Sequence, residues 1–159
     1  MHNRSLKIVR LDDISFVYVL RFFEDIKNNK WFHPHPFTEK VIWELDNKQD
    51  LYYVLADFSK PVSLKDKVLA YGFIRGWDAE WEDKCLGICV HPDHRNKGYG
   101  ELMVRFLHVA ARERGLEKIR LHVHPDNTKA LSLYKKMGYE IVGTRKNGEL
   151  IGYKKLGKK

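Results

Sequence analysis

Val90 to Gly100 reads VHPDHRNKGYG. An apolar strand end is followed by a Pro-containing turn, and Arg95, Gly98 and Gly100 then open an amphipathic helix. A helix N-terminus presents unpaired N–H donors and the positive end of the helix dipole, both of which favour an anion. Gly98 and Gly100 lack a Cβ, so a phosphate can approach the backbone closely, and Arg95 and Lys97 add positive charge. The stretch reads as a phosphate or pyrophosphate cradle. It is not a P-loop, because G-x-x-x-x-G-K followed by Ser or Thr is absent. It is not a dinucleotide fingerprint either: Met103 stands at the third glycine, and no acidic residue follows about twenty positions on in a suitable strand.

A second block carries the same message. Ile119 to Gly143, IRLHVHPDNTKALSLYKKMGYEIVG, reads as a strand, a helix and a closing strand. Asn127, Ala130, Leu133, Tyr134, Gly138 and Tyr139 fall on one recognisable pattern, and Arg95, Gly98 and Gly100 fill its upstream partner without a gap. In order and separation, the two blocks resemble those of the GNAT superfamily of N-acetyltransferases. The resemblance implies an α+β fold with a splayed, mixed sheet of about seven strands flanked by about four helices. It also implies acetyl-CoA as acetyl donor and a primary amine as acceptor.

Residue roles follow from the same resemblance. The cofactor contacts are expected at Cys89 and Val90 on the central strand, where backbone N–H meets the oxyanion, and at Arg95, Asn96, Lys97, Gly98, Tyr99, Gly100 and Glu101. Asn127 and Ala130 border the pantetheine arm; Asn127 also suits a helix N-cap. Tyr134 sits where the family places a general acid, a role that a phenol of reference pKa about 10 can fill. His122 occupies the position of a glutamate that serves some members as general base, although a polar-face surface histidine is an equally plain reading. Lys84 stands near another family glutamate, which leaves Glu82 or Asp83 acting through water as alternatives. Acceptor specificity is expected from Trp31, His33, His35, Trp77, Asp78 and Trp81, aromatic and acidic residues in loops that two prolines stiffen. Their plainer role is to plug a sheet edge or a dimer contact.

The rest of the chain supports one domain, residues 1–159. Leu6–Leu11 alternates as a strand, and Asp12 and Asp13 are read as the N-cap of a helix to about Asn28. Lys30–Phe37 is extended because two X-Pro steps disfavour helix, and Thr38 caps a short helix to Leu45. Strands follow at Leu51–Phe58, Val68–Ile74 and Leu86–Val90. Gly100–Arg114 is the cleanest helix, and Gly115 stops it. Ile119–Val123 is a half-buried strand, Asn127–Met137 a helix, and Asn147–Gly148 a hairpin turn between two closing strands.

The chain carries a net charge of +8 with 21 acidic residues interspersed. That fits a solvated surface and a basic tail over residues 154–159 better than a nucleic-acid site. No apolar run reaches membrane-span length and no signal-peptide pattern opens the chain, so a cytoplasmic protein, monomer or homodimer, is expected. Cys85 and Cys89, on one strand, lie roughly 13 Å apart, beyond disulfide reach. Cys89, His91, Asp93 and His94 fit no standard metal spacing, so no metal is expected. The leading reading is an acetyl-CoA-dependent N-acetyltransferase of a small amine or amino sugar. A peptide N-terminal acetyltransferase is the alternative, ahead of an acyl-CoA sensor or a basic nucleic-acid-binding module.

Overall fold

The computed structural model describes residues 4–45 and 48–157. Seven strands form one sheet in the order β1-β2-β3-β4-β5-β7-β6. They are β1 (Leu6–Arg10), β2 (Leu51–Asp57), β3 (Val68–Arg75), β4 (Cys85–Val90), β5 (Lys118–Val123), β6 (Glu140–Thr144) and β7 (Leu150–Lys155). All neighbours are antiparallel except β4 and β5. Helices α1 (Phe16–Ile26) and α2 (Glu39–Leu45) cover one face; α3 (Tyr99–Glu113) and α4 (Thr128–Lys136) cover the other.

Strand alternation sorts the core between those faces. Tyr71 and Phe73 of β3 join Phe22, Phe23 and Ile42 of α1 and α2. Ile74 joins Leu86, Val104, Leu107 and Leu121 beneath α3. Gly72 points the same way, and a Cβ there would come within 2.9 Å of Met103 and 3.0 Å of Leu107. Only a residue without a side chain lets α3 lie this close to the sheet.

Three expectations are corrected at chain level. Asp12 and Asp13 do not cap α1: Leu11–Asp13 forms a separate 3₁₀ turn, closed by the Asp13 carboxylate accepting from Arg10 N at 3.4 Å, and Ser15 precedes the helix. The helix stops at Ile26, two residues before the expected end, and Asn29 Oδ1 turns the chain by accepting from Trp31 N and Phe32 N at 2.9 and 3.1 Å. Lys154 and Lys155 are not tail residues but the end of β7, anchored by buried Leu156. The remaining tail lysines, 158 and 159, lie outside the described residues. Among the described residues no helix is long and apolar enough to cross a membrane.

Candidate active site

The parallel seam is where the sheet opens. β4 and β5 pair at Cys85↔Arg120 and Leu86↔Leu121 and then diverge. His91 N donates to Leu69 O at 2.8 Å, which sets the hydrogen-bonding phase of the β3–β4 ladder. By alternation, Cys89 turns its N–H towards β3, whereas Ile88 and Val90 turn theirs into the gap. Val90, one of the two expected positions, is thus an oriented donor in the cleft, and Ile88 joins it. Cys89 contributes a wall, its buried thiol facing the α1 side. The cleft has a volume of about 660 Å³.

One end of the cleft is the glycine loop. Asn96 and Gly98 adopt left-handed backbone, φ +62° and +82°, so the chain curls before α3. Gly98 is the N-cap and makes no side-chain cap, and Leu102 N donates to Gly98 O at 3.1 Å. The N–H groups that precede it are the orphan donors of a helix start. Arg95, Asn96, Gly98, Gly100 and Glu101 line this end together with Tyr99. The Tyr99 ring is core-facing and its hydroxyl accepts from Arg4 Nη1 at 2.8 Å, so its part in the cradle is backbone. Lys97 lies outside the lining, its ammonium 3.5 Å from His94 Nδ1. Gly100 serves packing: a Cβ there would sit 3.3 Å from Leu133 Cδ2, where α3 passes α4.

The loop is held from below by two buried imidazoles. His91 Nδ1 accepts from Asp93 N at 3.1 Å, and its Nε2 therefore donates to Asp25 at 2.8 Å. His94 Nε2 pairs with Asp66 at 3.1 Å. Among the described residues no group of His, Cys, Asp and Glu side chains is arranged to hold a metal.

Across the cleft, α4 brings Asn127, Ala130, Leu133 and Tyr134 to the lining. Asn127 caps α4, its side chain accepting from Ala130 N at 3.4 Å. Tyr134 is buried, its ring edge-on to Tyr139 at 5.7 Å, and desolvation beside Cys85 and Cys89 pushes its phenol well above the ordinary range. It therefore keeps its proton throughout the neutral range, the state a general acid needs.

The other end is walled by Asn29, Trp31, Phe32, His122, His124 and Glu149. Trp31 stacks on His124, ring centroids 6.2 Å apart and planes 24° from parallel. His122 is half-buried, and desolvation, reinforced by Arg145 and Arg120, lowers it to about 4. Its imidazole is neutral at physiological pH. Glu149 escaped sequence reasoning because it follows a hairpin turn and looks like turn chemistry. Its Oε2 accepts from Arg145 Nη1 at 2.6 Å and Asn147 Nδ2 at 2.9 Å, which keeps the carboxylate ionised despite desolvation.

The remaining expected acceptor residues are not brought into the lining. His33 is exposed. His35 joins the α1-side core, its imidazole 2.8 Å from both Pro36 O and the Tyr71 hydroxyl. Trp77 packs under Arg114, guanidinium to ring 4.1 Å, and Asp78 caps Gln49 N and Asp50 N at 3.0 and 2.8 Å. Trp81 lies against Arg75 and Arg120. Of the alternative bases, Glu82 is exposed, and Asp83 is engaged by the Tyr153 hydroxyl and by Lys118.

Residues 17–139 match the Acetyltransferase (GNAT) family. The chain belongs to that family, and with it to the N-acetyltransferases. A Bacillus subtilis protein described as a candidate ribosomal protein bS18-alanine N-acetyltransferase is 27% identical over 145 residues, covering 90% of this chain and 85% of its own. The chloroplastic GCN5-related N-acetyltransferase 6 of Arabidopsis thaliana is 41% identical over 59 residues, 37% of this chain and only 20% of that protein's length. The Salmonella typhimurium protein yncA, solved with its cofactor acetyl-CoA, superposes with a TM-score of 0.74 at 13% identity, covering 98% of this chain and 95% of that one.

Proposed function

We propose that this chain moves the acetyl group of acetyl-CoA directly onto a small primary amine. The observation that carries the reading is the division of one cleft into two chemically distinct ends. The loop end offers backbone N–H groups and a helix N-terminus to phosphates. The opposite end offers a neutral imidazole, a carboxylate and an aromatic wall to an amine. The residues present fit acetyl-CoA, which supplies the acetyl group when bound.

The chain's own groups then have separable tasks. The Asn96–Glu101 backbone binds the pyrophosphate. Val90 N–H, unpaired at the seam, is placed to stabilise negative charge on the acetyl oxygen. His122, neutral, accepts the proton that the amine loses as its nitrogen bonds to the acetyl carbon. Tyr134 gives its proton to the sulfur as the C–S bond breaks. The Trp31–His124 stack narrows the acceptor mouth, which favours a small amine. A peptide N-terminus is the second reading, supported by the Bacillus relative that matches nearly the whole chain.

The test is thiol release from acetyl-CoA across small amines, amino sugars, polyamines and short peptides. Turnover of small amines with kcat/KM well above that of any peptide supports the proposal; turnover confined to peptides overturns it in favour of the second reading.

A further inference from the structure

Beyond His122 the α1-side face of β5 continues to Arg120, and the strand register sets Cys85 and then Arg75 beside it. Arg75 and Arg120 both lie against Trp81, their guanidinium carbons 5.9 and 6.0 Å from its ring centroid. Arg75 also sits 4.6 Å from the Phe73 ring, and its Nη1 donates to Pro34 O at 2.8 Å. In both arginines Nε is buried and has no hydrogen-bond partner.

The polar neighbours of the two cations are mostly neutral: Tyr52 beside Arg75, and Cys85 and Tyr153 beside Arg120, whose charge also lowers Asp83. Among the described residues no carboxylate comes within 4.0 Å of either guanidinium. The neighbouring acids are engaged elsewhere: Asp83 by Lys118 at 3.0 Å, Asp50 by the N–H groups of Gly76, Trp77 and Asp78, and Glu149 by Arg145. Two half-buried positive charges with no directly paired carboxylate among the described residues are costly. Contact with an indole face returns less than desolvation takes. The charge reaches the acceptor end, because Arg120 and Arg75 are among the groups that depress His122.

We propose that Arg75 and Arg120, beside His122 on the same face of the sheet, form an anion subsite adjoining the acceptor end of the cleft, so that the amine acetylated here carries a carboxylate or phosphate. Arg120 is two residues from His122 along β5, about 6.6 Å of strand. That separation suits an amine and an anionic group a few bonds apart in one small molecule. The inference rests on the small-amine reading above.

The experiment uses matched acceptors: β-alanine against propylamine, phosphoethanolamine against ethanolamine, and short peptides with an acidic or a neutral second residue. Wild type is expected to prefer the anionic member of a pair by about tenfold or more in KM, the scale of one charged hydrogen bond. Which small pair shows it distinguishes carboxylate from phosphate. Arg75→Met and Arg120→Met are each expected to cut that preference about tenfold, with CoA affinity and melting temperature not reduced, since each removes an unpaired buried donor. A melting point that falls while the preference persists makes the arginines structural and overturns the inference, as does a wild-type preference for the neutral member. If wild type acetylates only peptides, the small-amine reading fails; an acidic-peptide preference that the variants abolish then keeps the subsite with a peptide as its source. Absence of turnover, together with calorimetry showing neither β-alanine nor phosphoethanolamine binding to the CoA-loaded protein, overturns both.

Discussion

Replacing Tyr134 by Phe deletes one oxygen and keeps the ring that packs edge-on against Tyr139 at 5.7 Å. The residue is 5% exposed, so packing is conserved and the stability change should stay within about 1 kcal/mol. On the proposed role, the deletion removes the proton that Tyr134 gives to the departing sulfur. The penalty for leaving that sulfur as a bare thiolate can be read from Cys89, on the strand that forms the cleft wall. Burial pushes the Cys89 thiol from 9.0 up to about 12. That shift of about three pKa units corresponds to about 4 kcal/mol, or roughly a thousandfold. Cys89 is more enclosed than the cleft, so this is an upper bound, and a loss in kcat of roughly 10²–10³ is expected, within the usual range for a general acid. The assay is thiol release at saturating amine, with CoA affinity and melting temperature measured on the same samples. Thioesters with a more acidic leaving thiol should narrow the deficit, because they need the proton less. Undiminished kcat in the Phe variant would refute the assignment. So would a deficit explained by lost CoA affinity, or one independent of the leaving thiol.

The proton acceptor makes a different prediction. His122 is held at about 4 and is therefore neutral from pH 6 to 8, so His122→Ala should lower kcat/KM by the same factor across that range; a ratio that bends near 6.5 would contradict the depressed value. Gly98→Ala meets open space but must keep φ +82°, a strain of about 1–2 kcal/mol, whereas Gly100→Val drives side-chain atoms beyond a Cβ already 3.3 Å from Leu133. Thermal melts and CoA titration should show Gly100→Val as the more destabilised of the two. His108, 2.7 Å from the Tyr139 hydroxyl, is lowered to about 4 by burial and nearby cations. Its unfolded state binds the proton first, so stability should hold above about 6.5 and fall as pH drops towards 4, and His108→Gln should flatten that slope in denaturant titrations.

Local chemistry was legible in the sequence, and long-range pairing was not. The loop's conformation could be read because its requirements are carried by adjacent residues: a left-handed glycine and a helix start. The strands and helices could be read from period and stop signals, with errors at Asp12–Asp13 and at Lys154–Lys155, where tertiary burial of Leu11 and Leu156 decides the boundary. The acceptor end is different. A loop histidine or tryptophan looks the same in sequence whether it faces a substrate or a core. His35 turns inward because Tyr71, 36 positions away, offers its hydroxyl, and Asp78 is drawn off, still exposed, because Gln49 and Asp50 present N–H groups. Glu149 meets His122 only because β7 lies between β5 and β6, an order that reverses the chain sequence. On its other edge β5 is the parallel neighbour of β4, and parallel pairing at just two positions is what opens the seam. That short pairing exposes Val90 N–H and sets His122 on the rim, and the register through Cys85 aligns Arg75 with Arg120. The proposed catalytic geometry belongs to strand pairing more than to any single motif.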